Sequence, residues 1–213
     1  MPNWTYCKLK APKKVLMKYR NEKNEFDFNL VISQPKEYSD PELISGGDED
    51  YAIYWYLTKK ETRPLYKAAP EAILERYFGR FSLMLDPLTR DTYVSHYIPE
   101  TEEESQALYE RGAKYVYLAD KYGYRDWYDW RRANWGTKWN ACENSWKHDG
   151  VAFETAWAPP VPVIKKIFFD NPDCTIGFYW TNEDWDGYHH LIRHHSGKLN
   201  KLNTEGIFDA STY

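Results

Sequence analysis

The chain has 213 residues, with 28 Lys and Arg against 32 Asp and Glu and a net charge of −4. That length supports one substantial core, and the acidic balance opposes bulk, sequence-independent attraction to phosphate backbones. Cys7, Cys142 and Cys174 are odd in number and far apart, which argues against a disulfide framework and for a reducing, cytoplasmic compartment. No apolar run approaches the roughly 18 residues of a spanning helix, so no membrane association is expected.

Residues 4–11 read as a strand, and the segment opened by Pro12 places Val15, Leu16 and Tyr19 at helical spacing. Lys8, Lys10, Lys13, Lys14 and Lys18 crowd this opening and form a candidate basic patch, whereas Asp and Glu dominate residues 37–50. Residues 26–33 alternate Phe26, Phe28, Leu30 and Ile32, the spacing of a second strand. Pro35, Pro41 and Gly46-Gly47 punctuate a loop before a helical stretch at 51–59.

The pattern then turns helical. Residues 70–80 begin with a proline, and 101–121 open with Thr101 and Glu104 in capping-box spacing and close at Gly123. Residues 125–135 form a short helix ended by Gly136. From residue 137 two strands flank the turn His148-Asp149-Gly150. Pro160 or Pro162 starts a helix with Val161, Ile164, Ile167 and Phe168 on its buried stripe. Residues 174–180 and 187–195 pair as a hairpin, followed by a polar tail. The expected fold class is α+β, an antiparallel sheet with helices on one face and a helical insertion mid-chain.

Three segments carry a resemblance: the opening MPNW, the run NWGTKWNA from Asn134 to Ala141, and FETAWAPPVPVI from Phe153 to Ile164. They resemble an uncharacterised Api-type family of bacterial phage, plasmid and genomic-island proteins with a ferredoxin-like domain. The resemblance implies a single domain over 1–213, with a ferredoxin-like core from 1–35 and 135–200 and an insertion over about 50–134. It also implies a mobile-element protein working in the bacterial cytoplasm, and it brings no cofactor and no established catalytic residue. Trp4, Asn134, Trp135, Gly136, Trp139, Asn140, Trp157, Pro159 and Pro160 make up the motif. Rings beside chain reversals most simply pin strands to helices, so the tryptophans are expected in the core.

The sequence offers no metal site. His190 and His194 share one strand face and His189 and His195 the other, without the short ligand pairs of zinc sites. Asp126 and Asp129 lie among Arg125, Arg131 and Arg132 and read as helix-surface ion pairs rather than catalytic acids. Neither a nucleophile elbow nor a P-loop nor a dinucleotide fingerprint occurs. The leading expectation is therefore a non-enzymatic protein that engages a host protein to inhibit a bacterial defence system, anti-CRISPR-like or anti-restriction-like. The alternatives are a nucleic-acid module built on the sheet and a hydrolase or nuclease without a recognised motif. The open sheet face discriminates the first two: exposed rings among Lys or Arg favour nucleic acid, and a helix-covered face favours a protein partner.

Overall fold

The computed structural model describes residues 3–44, 49–57, 99–183, 187, 189–193 and 199–203. The helix expected at 70–80, the glycine pair, His194 and His195 lie outside these. The chain divides into two compact units, residues 1–34 with 131–213 and residues 35–130.

Among the described residues the first unit is built on six antiparallel strands in the order β2-β3-β1-β4-β5-β6. They are β1 (Trp4–Lys10), β2 (Cys142–Lys147), β3 (Gly150–Ala156), β4 (Ile176–Asn182), β5 (His189–Arg193) and β6 (Leu199–Asn203). The strand β6 falls where a polar tail was expected: Leu199–Asn203 has little apolar character, but its backbone pairs along the whole of β5. With β1 between β3 and β4, the first four strands carry the ferredoxin-like order, and the class is α+β as expected.

Alternation decides the faces. Thr5, Cys7 and Leu9 are buried and stand in register with Thr155, Phe153 and Val151 on one side and with Asn182, Trp180 and Phe178 on the other. Burial pushes the Cys7 thiol well above its ordinary range. Over this face lie the rings of Phe26 and Phe28, at 4.9 Å and 6.0 Å from Phe153, and Trp135, 5.8 Å from Phe28. The helix Val161–Asp170 buries Val163, Ile164, Ile167 and Phe168, and the Phe168 carbonyl accepts from Arg193 Nη1.

Residues 26–33 are not a strand. Phe26 makes one isolated bridge to Arg20, and Phe28–Leu30 is a 3-10 turn capped by the Asp27 carboxylate. The backbone N–H groups of Phe26 and Phe28 donate to the side-chain oxygens of Asn144 (3.1 Å) and Asn140 (2.9 Å), so side-chain amides replace the partner strand that the alternation implied. The strand β2 likewise begins at Cys142 rather than at 137. Residues 137–141 instead anchor loops, Thr137 Oγ1 donating to the Ala156 carbonyl at 2.8 Å.

The described residues of the second unit are mainly helical. After the short α1 (Lys13–Leu16) of the first unit, they form α2 (Pro41–Ile44), α3 (Glu49–Leu57), α4 (Glu102–Tyr122) and the first half of α5 (Trp127–Asn134), which carries the chain back to the first unit. Half of the capping box holds: Thr101 Oγ1 accepts from Glu104 N at 3.1 Å, whereas Glu104 Oε2 accepts from Glu100 N at 3.0 Å, one residue before the N-cap. Gly123 ends α4 in the left-handed region at φ 80°. The buried stripe of α4 is Ser105, Leu108, Gly112, Tyr115, Val116, Leu118 and Ala119. Among the described residues no helix is long and apolar enough to cross a membrane.

Glu37 joins Lys121 Nζ at 2.9 Å and Tyr122 Oη at 2.8 Å. The Lys121 contact, backbone hydrogen bonding and the Tyr122 hydroxyl hold its carboxyl down at about 2. A depressed carboxyl adds stability that is complete above its unfolded value of 4.5 and lost as pH falls toward 2. In acid-unfolding curves, Glu37→Gln is expected to melt below the parent at pH 6 and to converge with it only as pH falls below 2, once the parent's carboxyl is protonated as well.

Candidate functional site

The residues of β1 that alternate with its buried set are Trp4, Tyr6, Lys8 and Lys10, two rings followed by two cations along one face of the central strand. Tyr6 is 37% exposed and Lys10 is exposed, with Trp4 and Lys8 half-buried. Register places Tyr179 of β4 beside Lys8, and His190 of β5 beside Tyr179. The Tyr179 ring lies 5.7 Å from Lys10 Nζ and 5.8 Å from the His190 ring.

Gly177 makes room for that ring. A Cβ at this position would stand 2.9 Å from Tyr179 Cε2 and 3.0 Å from its hydroxyl oxygen, so the phenol leans down the strand over a residue with no side chain. Beyond Lys10 the face runs into a groove of about 580 Å³, lined among others by Lys10, Lys13, His148, Asp149, Thr175 and Tyr179. Among the described residues that line it Asp149 is the one acid, and it sits 3.7 Å from His148, which is almost fully exposed.

The opposite end of the face is acidic. Glu154 pairs in register with Tyr6, Glu143 follows Cys142 in the neighbouring strand, and Glu183 Oε2 accepts from Trp4 N at 3.1 Å. Burial first, then Glu143 and Glu183, raises the Glu154 carboxyl above its ordinary range.

The candidate basic residues separate. Lys8 and Lys10 stand on the sheet face and Lys13 on the groove, but exposed Lys14 is not among the groove residues. Lys18 Nζ donates instead to Asn171 Oδ1 at 2.7 Å, on a side chain that also bonds the Ile167 carbonyl at the end of the covering helix. The five-lysine patch is thus reduced to three. The reason is periodicity: a strand ends at Lys10, and the turn Lys13–Leu16 points successive residues in different directions.

The motif residues divide too. Trp135 is fully buried, and its Nε1 donates to the Ile32 carbonyl at 2.9 Å. Gly136, at φ 83°, packs against the second run, where a Cβ would lie 2.8 Å from Pro162 Cδ and 3.1 Å from the Pro159 carbonyl. Pro160 is buried at the head of the covering helix, and Asn134 ends the helix before Trp135. Asn140 ties the Asp27 loop, its Nδ2 donating to Asp27 Oδ1 at 2.7 Å. Trp4 and Trp139 meet at 6.0 Å with Lys138 Nζ 4.3 Å from the Trp139 ring.

Trp157, expected in the core, is 58% exposed at φ 72°. Its N–H donates to the Asn3 carbonyl at 2.8 Å, and this left-handed step after β3 turns the ring outward.

Arg125 pairs with Asp50 and approaches Asp126 (3.5 Å) and Asp129 (3.9 Å), while Arg131 Nε donates to Gln34 Oε1. Among the described residues no three His, Cys, Asp or Glu side chains gather as a metal site.

Residues 134–199 match a family model described as the ferredoxin-like domain in Api92-like protein. The match spans β2 through β5 and includes both tryptophan-rich runs that carried the resemblance. The crystal structure of the protein Api92 from Yersinia pseudotuberculosis is similar over 98% of this chain and 100% of that one, at 10% sequence identity and a TM-score of 0.41. No curated protein matches.

Proposed function

We propose that the first unit is a nucleic-acid-binding module that receives single-stranded RNA or DNA on the sheet face. The observation that carries this reading is the row Trp4, Tyr6, Lys8 and Lys10 with Tyr179 beside the lysines, rings for base stacking next to cations for phosphate. The charge distribution supports it. The first unit holds 16 Lys and Arg against 13 Asp and Glu, net +3, and the second holds 12 against 19, net −7. The acidic total therefore belongs to the helical unit, and the objection it raised does not bear on the sheet.

In fluorescence anisotropy, single-stranded 10-mers should bind and weaken about tenfold between 50 and 200 mM salt, as two or three phosphate contacts on a single strand require. Tyr6→Ala with Tyr179→Ala should cost at least about tenfold at constant fold, since each stacked base contributes about 1–3 kcal/mol. Salt-independent binding, or binding indifferent to both tyrosines, overturns the reading.

A second reading has its own observation. The helical unit is strongly acidic and exposes Tyr117 and Tyr128, and the first unit exposes Trp157 (58%) and Phe169 (76%). Large exposed rings suit a protein partner, a mobile-element protein inhibiting a host defence system being the case in point. Failure of every single-stranded probe to bind favours that reading over the first.

A further inference from the structure

The face is electrically lopsided along β1. Its Lys10 end opens into the groove with Lys10, Lys13 and His148, where Asp149 is the one acid among the described residues. Its Trp4 end, about 13 Å from Lys10 to Tyr6 and further to Trp4 at strand rise, is ringed by Glu154, Glu143 and Glu183 with Lys138 as the nearby cation. A continuous phosphate backbone laid along the strand would run from attraction into repulsion, because three carboxylates meet its distal phosphates. A ligand whose phosphate charge is concentrated at one end meets no such conflict.

Resting on the nucleic-acid reading, we infer that the groove is a terminal-phosphate subsite: it takes a phosphomonoester at the end of a single strand, with the adjoining base on the Tyr179 ring. Lys10 suits the junction, since its ammonium already stands 5.7 Å from the Tyr179 ring centre and also lines the groove. A phosphomonoester carries nearly two charges at neutral pH against one for an internal phosphodiester, so a pocket with two lysines favours the end over the middle. The exposed His148 and the Thr175 side chain stand on the same groove as further donors to its oxygens.

The test uses the full chain and 6-mers of one sequence carrying a 5′-phosphate, a 3′-phosphate or hydroxyls at both ends, with the mononucleotide and inorganic phosphate as competitors. One phosphorylated end is expected to bind about tenfold tighter than the hydroxyl form, and the mononucleotide is expected to compete better than inorganic phosphate. Lys13→Gln with His148→Gln, two groove residues outside the Trp4–Lys10 row, checked by circular dichroism for an unchanged melt, should erase the preference and leave the weaker hydroxyl-ended binding in place. Equal affinity for all three ends overturns the subsite while the sheet reading stands. No binding of any strand overturns the sheet reading itself. A preference that survives the double substitution overturns the assignment to this groove.

Discussion

Trp135→Ala is expected to cost about 3–5 kcal/mol, the range for removing a large buried aromatic side chain, read as a fall in the urea midpoint at unchanged slope. The indole is fully buried, and its Nε1 donates to the Ile32 carbonyl at 2.9 Å. Its ring packs edge-on against Phe28, itself against Phe153, and the Arg131 guanidinium lies 5.0 Å from the indole. Truncation opens a cavity, leaves the Ile32 carbonyl without that donor and uncovers the guanidinium, so the three costs run in the same direction. Trp135→Phe should recover part of the loss because it restores ring volume but not the N–H. The comparison that isolates burial is Trp157→Ala, a tryptophan from the same motif that is 58% exposed and should barely move the midpoint. If the two alanine variants melt alike, the division of the motif into a buried and an exposed member is wrong.

That division also measures what the sequence could convey. The helix Glu102–Tyr122 was legible because both its signals are local, a Thr–Glu box at one end and a glycine at the other. The covering helix was legible from its leading prolines and apolar stripe, although Val163 rather than the expected Val161 is buried. The segment at 26–33 was not, because what satisfies its backbone is Asn140 and Asn144, more than a hundred residues away, and alternation of Phe26 and Phe28 looks the same with or without a partner strand. At the site, the lysines were visible as a charge run, but a run does not say which members share a face. The alternation of Trp4, Tyr6, Lys8 and Lys10 against Thr5, Cys7 and Leu9 was the available signal, since the second set is the less polar one. The pairing of Gly177 with Tyr179 had no such signal, as its meaning depends on β4 lying beside β1. Trp157 was misplaced because a ring beside two prolines reads as packing, and a positive φ at a tryptophan is not something composition announces.

Gly112→Ala is the substitution for which local propensity and packing give opposite signs. In a helix interior alanine is favoured over glycine by up to about 1 kcal/mol, so an exposed site at the middle of α4 would gain. Gly112 is buried where α4 crosses α3, and a Cβ there would overlap the carbonyl of Ala52 and stand 2.8 Å from Tyr56 Cβ. The obstacle is backbone on a neighbouring helix, which no rotamer change can move aside. The helices must separate, loosening the buried set Ala52, Ile53 and Trp55, and weakening the Trp55 Nε1 bond to Ser105 Oγ at 3.2 Å. Overpacking therefore wins, and a net loss of about 2–3 kcal/mol is expected in the unfolding of the helical unit, with altered fluorescence of Trp55 in the folded state. Gly123→Ala is the matched control. It has open space around the added carbon but a φ of 80°, so its cost of about 1–2 kcal/mol is that of the left-handed backbone alone and should leave the Trp55 emission unchanged. A Gly112→Ala protein as stable as the parent would mean that α3 and α4 do not meet at this glycine.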